Sequence, residues 1–174
     1  MQVIKIVILA LLTLVFVQDV RSRSVYWILF PCLVLLFIGL DLLQHHLYAD
    51  TWWSIAVNIG FLVVQFLMVS VYFSIKNSRW INITSGMLGW GDILLLLSVA
   101  FYLSFLNFLL FYIISLVAVL LLWLTWQAIS AKKDRHIPLA GLQALLMVLF
   151  LISAWWIKPV DINSDDWLLQ LIHR

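Results

Sequence analysis

Two of the eight aspartates stand where an acidic side chain is expensive. Asp19 directly follows an apolar stretch near the start of the chain, and Asp92 directly precedes a long one. Both are expected near, or just inside, the same membrane interface, where ionisable groups are costly and often functional. Two carboxylates about 3 Å apart cannot both ionise cheaply, so they share one proton. Such a pair can hydrolyse a peptide bond. The ionised partner takes a proton from water, while the protonated one polarises the scissile carbonyl and then protonates the leaving amine. Helix dipoles favour Asp92 as the base, because it opens a helix, and Asp19 as the acid, because it closes one. Each residue also has a plainer reading. Asp92 could cap its helix by accepting backbone N–H bonds. Asp19 could be a solvated charge beside Arg21 and Arg23.

The elements that must position these acids are read from composition. The chain has 174 residues and is 66% hydrophobic. Its 10 basic and 8 acidic residues make it 10% charged, and every acid is Asp. A soluble domain carries about 25% charged residues, so a soluble globule, a disordered chain and a nucleic-acid module are all excluded. One cysteine, Cys32, excludes a disulfide framework and a Cys-based zinc site, and is expected as a buried apolar thiol. His45 and His46, with Asp41 and Asp50, form the one conceivable metal-ligand set, in a wet loop where tandem histidines usually stand unliganded. No metal and no cofactor is expected.

A crossing helix needs about 20 apolar residues. The charge-poor runs predict an all-α, polytopic membrane protein, a single domain of six transmembrane helices. These lie over about 1–17, 24–43, 51–75, 91–105, 107–130 and 137–157, with a tail over 158–174. The uncharged run 93–131 is about two crossings long and is divided at its polar midpoint, Ser104 to Asn107. The first run lacks a small-x-small cleavage signature and meets Arg21 and Arg23 at once, so it is expected to be retained rather than removed as a signal peptide. The junctions 18–23, 76–91 and 132–136 hold Arg21, Arg23, Lys76, Arg79, Lys132, Lys133 and Arg135. Five acids, Asp41, Asp50, Asp161, Asp165 and Asp166, fall on the other side. The positive-inside rule then puts the basic face in the cytoplasm and both termini outside. The ten tryptophans fall into two interfacial belts. Asp134, among basic neighbours, reads as a solvated loop charge. Asn58 and Gln65, seven apart, share a helical face and can hydrogen-bond across the bundle or line a polar path. In the tail, Trp167, Leu168, Leu171 and Ile172 share a face that suits a short helix on the outer leaflet.

The sequence before Asp92 is Gly86-Met87-Leu88-Gly89-Trp90-Gly91-Asp92. Three glycines in six residues would build a poor simple cap. Glycine serves where backbone takes φ > 0 or where another chain approaches closely, so Gly86, Gly89 and Gly91 are expected to position an extended substrate, with Arg23 assisting beside Asp19. Gly89-Trp90-Gly91-Asp92 matches the Gly-x-Gly-Asp signature of membrane aspartyl proteases. Asp19-Val20-Arg21-Ser22-Arg23 is similar to a first aspartate followed by a basic stretch, and Ile137-Pro138-Leu139-Ala140-Gly141 to a Pro-containing start of a last helix. Taken together, the chain resembles the type IV prepilin peptidase family, as a short, peptidase-only member.

The resemblance implies an aspartic endopeptidase of the inner (plasma) membrane, using Asp19 and Asp92 at the cytoplasmic face without a cofactor. Its partners would be membrane lipid and pilin-like precursors with a basic leader and an apolar N-terminal helix; no nucleic acid is implied. The chain departs from the family in having Val25-Tyr26-Trp27 where Ile-Pro-Asn is frequent, and in lacking the paired-cysteine methyltransferase portion. No N-methylation is therefore expected. Proteases of the presenilin or signal-peptide-peptidase type share the signature but are larger and carry Pro-Ala-Leu, which Pro138-Leu139-Ala140 echoes only out of order. A non-enzymatic small transporter or scaffold subunit is the reading from a different class. It would leave both acids as pathway or structural charges.

Overall fold

The structure is a computed structural model that describes residues 1–44, 49–77, 89–129 and 139–172. Among the described residues all regular structure is helical. The chain runs α1 (Gln2–Ser22), α2 (Leu29–Gln44), α3 (Ala49–Asn77), α4 (Trp90–Ala100), α5 (Phe105–Ile129) and α6 (Leu139–Ile152). A π-helical turn over Ser153–Ile157 follows α6, and α7 (Asp166–Ile172) closes the described chain.

Among the described residues, four segments are long and apolar enough to cross a membrane: Gln2–Ser22, Thr51–Lys76, Phe105–Ala128 and Leu139–Ile157. The expected six crossings are thus four segments of crossing length and two short apolar helices, α2 and α4. With 16 and 11 residues, these rise about 24 and 16 Å, below the ~30 Å of hydrocarbon. Lack of charge marks apolar chain, not helical chain. Residues 24–26 are irregular and 27–28 form a turn ahead of α2, and α4 stops at Ala100. A short helix is acceptable where protein rather than lipid surrounds it. α4 meets that condition, packing against α2, α3 and α6 with Leu95, Leu96, Val99 and Ala100 buried.

α1 and α6 form the most extensive helix pair. They run antiparallel: Lys5 near the start of α1 lies over Trp155 beyond the end of α6, and Asp19 in the last turn of α1 meets Gly141 in the first turn of α6. Ile8, Leu12 and Val15 from α1 recur at helical spacing and join Phe30, Leu33 and Phe37 from α2, and Ala144, Met147 and Leu151 from α6, in one core. The outward faces are apolar as well: Val3, Leu35, Leu67 and Leu121 are all exposed, as lipid contact requires. Cys32 lies on such a face of α2. The expectation of a buried thiol is corrected. Leu33, the next residue round the helix, takes the core position.

Polar residues tie the helices where lipid offers no partner. Asn58 of α3, fully buried, donates to the carbonyls of Ala100 (3.1 Å) and Leu103 (2.8 Å), holding the frayed end of α4. Gln65, seven residues on, hydrogen-bonds Tyr112 of α5. Both make bundle-bridging contacts.

The α4–α5 turn falls over 101–104, slightly earlier than its expected place at Ser104 to Asn107. Ser104 accepts the Phe108 N–H at its carbonyl (2.8 Å), and Asp165 accepts both the Ser104 hydroxyl (2.6 Å) and the Leu106 N–H (3.1 Å). Asn107 donates to Ser104, to Ile162 O and to Ser164 O. The polar cluster therefore fastens the tail to the start of α5. Asp165→Ala should remove both the cap and the tether, costing about 1–2 kcal/mol. It should also speed proteolysis of the tail; an unchanged cleavage rate would show that the tether contributes nothing.

Candidate active site

The C-terminal end of α1 is built to present Asp19. α1 runs past the apolar stretch to Ser22, so Asp19 sits inside the last helical turn rather than after it. Arg23 closes the helix in the left-handed conformation (φ 53°, ψ 26°), donating its N–H to Asp19 O at 2.9 Å. Ser22 donates its hydroxyl to Gln18 O (2.7 Å), and Gln18 Oε1 accepts the Tyr26 N–H (3.2 Å), turning the chain toward α2. The half-buried Asp19 carboxylate turns inward, and its Oδ2 accepts the Gly141 N–H at 2.6 Å.

Asp92 enters from α4. Gly89 is the N-cap residue (φ −70°, ψ 141°), and Asp92, three residues on, accepts the Gly89 N–H at 3.0 Å. That is the acidic half of a capping box, so the capping role is real. It is not the whole role. Asp92 is 9% exposed, also accepts the Ala140 N–H, and lies close enough to Asp19 for their charges to interact.

The two acids, distant in sequence, thus converge on α6. Ala140 and Gly141 lie in the first described turn of that helix, with their N–H groups toward the two acids. Each takes one carboxylate. The two carboxyl groups thus approach the same turn of α6, within range of each other's charge.

The glycines behave differently from expectation. Among the described glycines none has a left-handed φ; Gly89 is extended and Gly91 lies within α4. The left-handed residue at the site is Arg23, which closes α1 beside Asp19. A Cβ on Gly91 would lie 3.6 Å from Ala140 Cβ, 3.9 Å from Val25 Cγ2 and 4.0 Å from Phe30 Cζ, all ordinary contacts. Gly91 marks where α4, α6 and the start of α2 meet. Gly141 is the crowded position: a Cβ there would sit 3.0 Å from both Cβ and Oδ2 of Asp19 and 3.3 Å from Phe16 O. Gly86, Asp134, His45 and His46 lie outside the described residues, as does the Asp50 side chain.

Ala140 and Gly141 are the site residues that the sequence reading did not single out. Their signal was present as Pro138-Leu139-Ala140-Gly141: a proline at a helix start followed by small residues, the pattern of a helix N-terminus that another element approaches closely.

Among the described residues the protein is all-helical, with four apolar segments of membrane-crossing length and two carboxylates that meet at the first described turn of α6. No protein-family model, no curated protein and no solved structure matches the chain.

Proposed function

We propose that the chain is a membrane aspartyl endopeptidase of the prepilin-peptidase type, with Asp19 and Asp92 as its catalytic pair. The observation that carries this reading is the convergence of the two acids on consecutive backbone amides of α6. A cap for α4 needs Asp92 and Gly89 alone; it gives no reason for Asp19 to lie beside it.

In this reading the pair holds one proton and a water between its carboxyl groups. Asp92, which accepts two backbone N–H groups, is the base; Asp19, which accepts one, is the acid. The helix-dipole argument alone no longer separates them, since Asp19 also meets a helix N-terminus. Substrate reaches the pair on its Asp19 side, the more exposed of the two. The substrate class is a pilin-like precursor: its basic leader meets the acidic pair, and its apolar helix lies against the exposed apolar faces of the bundle. No N-methylation and no cofactor enter the scheme. The capping hydrogen bond from Gly89 favours a second reading, in which both acids are structural and the chain is a non-enzymatic transporter or scaffold subunit.

Orientation follows the basic residues: six crossings in a plasma membrane, both termini outside and the pair at the cytoplasmic face. Single cysteines at Ser22, Ser78 and Ala131, in a Cys32→Ser background, should resist impermeant thiol reagents in sealed cells. One at the exposed Lys158 should react. Labelling at Ser22 from outside would overturn this orientation. The function itself is tested by co-expression with a candidate precursor, reading leader loss as a gel shift. An intact precursor in the presence of well-folded protein, across precursors with and without a basic leader, would count against the peptidase.

A further inference from the structure

A second polar site lies at the opposite end of the bundle. There the start of α1, the end of α2, the π turn after α6 and the segment 159–163 line an open cavity of about 520 Å³. That volume falls within the range of small-ligand sites, about 300–1,000 Å³. One wall carries Lys5, whose Nζ stands 5.1 Å from the centre of the Trp155 ring, and the Trp155 indole N–H donates to Tyr102 Oη at 3.2 Å. Asp161 and Asn163 also line the cavity. Behind Asn163 lies Asp41, 2% exposed, whose Oδ1 accepts Asn163 Nδ2 at 2.6 Å and whose charge faces that of Asp161.

Three features point to what would fill the cavity. Asn163 Oδ1 is buried with no hydrogen-bond partner, and a buried acceptor left in that state is costly. Two carboxylates flank it, so the wall presents acceptors around one point and suits a group with several N–H donors and a positive charge. The Lys5 ammonium, which also lines the cavity, suits an anion. Leu43 lines the cavity, and beyond it Val3, Ile6 and Leu42 are exposed and apolar along α1 and α2.

We propose that this cavity binds the headgroup of a phospholipid bearing a primary ammonium. The ammonium lies against Asn163 and Asp161, with the buried Asp41 charge behind Asn163, the phosphate lies on Lys5, and the acyl chains lie along the apolar faces of α1 and α2. The site is independent of the Asp19–Asp92 pair, and its occupancy does not rest on the peptidase reading.

Native mass spectrometry of the detergent-purified chain tests this, with phosphatidylethanolamine, phosphatidylcholine and phosphatidylglycerol of matched acyl chains. Phosphatidylethanolamine should be retained about tenfold over the other two, because choline has no N–H to donate and glycerol has no cation. Asp161→Asn, at an exposed residue, should erase most of that preference, and Lys5→Gln should weaken all three lipids alike. Asp41→Asn should act as Asp161→Asn does if it folds; Asp161→Asn decides the matter if it does not. Equal retention of the ethanolamine and choline lipids would overturn the proposal, as would a preference that survives Asp161→Asn. Displacement of the lipid by free phosphoethanolamine at equal concentration would assign the cavity to a soluble amine instead and overturn the lipid.

Discussion

Asp19→Asn and Asp92→Asn should each abolish precursor cleavage, by a thousandfold or more on the scale typical of residues that act as a unit. Both proteins should fold. The choice of asparagine follows from the amides on the two carboxylates. Asp19 satisfies the Gly141 N–H, and Asp92 satisfies those of Gly89 and Ala140. Alanine would leave these donors without a side-chain acceptor, at about 1–3 kcal/mol for each one that stays buried. It would also remove a charge that is costly near the bilayer. The net stability change of the alanine variants is therefore a difference of two similar effects. Asparagine keeps an acceptor oxygen in place and removes the acid–base chemistry, so it separates mechanism from packing. The double variant should be little worse than either single one, because a base without its acid has already lost the reaction. Asp134→Ala should leave cleavage near normal. Cleavage surviving in well-folded Asp92→Asn would remove the aspartyl mechanism. Failure of both asparagine variants to fold would favour the structural reading of the pair.

How far the sequence reaches is best seen at α1 and α4. The apolar run ends at Val17, and a rule based on charge ends the helix there. Backbone hydrogen bonding has no such rule. It continues through Gln18 and Asp19 until Arg23 takes a left-handed φ, and this extra turn points Asp19 at α6. At α4 the sequence correctly places the start beside Gly91 and Asp92. It misplaces the end, because Ala100 and Leu103 give their carbonyls to Asn58, and Ser104 and Leu106 are held by Asp165, 61 and 59 residues away. Partners that distant leave no local pattern. The same holds for the site. Two acids at matching depth were visible from spacing alone. That they meet on Ala140 and Gly141 depends on α1 lying against α6, a packing choice that hydrophobic periodicity does not specify when every face of every helix is apolar.

Gly141→Ala is the second variant with a large expected effect, and Gly91→Ala is its control. Both residues are glycines at the start of a helix within the site, yet their surroundings differ. At Gly141 the added methyl would stand 3.0 Å from Asp19 Cβ, which is fixed to the α1 backbone, and 3.3 Å from the Phe16 carbonyl on the same helix. Neither atom is the free end of a flexible side chain, so α1 must move off α6 to make room. Overpacking of this kind costs about 1–3 kcal/mol. The displacement lengthens the 2.6 Å hydrogen bond that sets the Asp19 carboxylate beside Asp92. A misplacement of about 1 Å can cost a hundredfold in rate, so cleavage should fall by that order while the chain still inserts and folds. At Gly91 the same methyl finds Ala140, Val25 and Phe30 at 3.6 to 4.0 Å. Alanine also stabilises a helix relative to glycine, by about 0.5–1 kcal/mol. Gly91→Ala should therefore raise the melting temperature slightly and leave cleavage within a fewfold of the parent, even though Gly91 belongs to the signature next to Asp92. Thermal unfolding in detergent and the gel-shift assay on both variants give the comparison. If Gly91→Ala is dead and Gly141→Ala is active, the signature glycine touches substrate directly and the α6 N-terminus does not hold the pair.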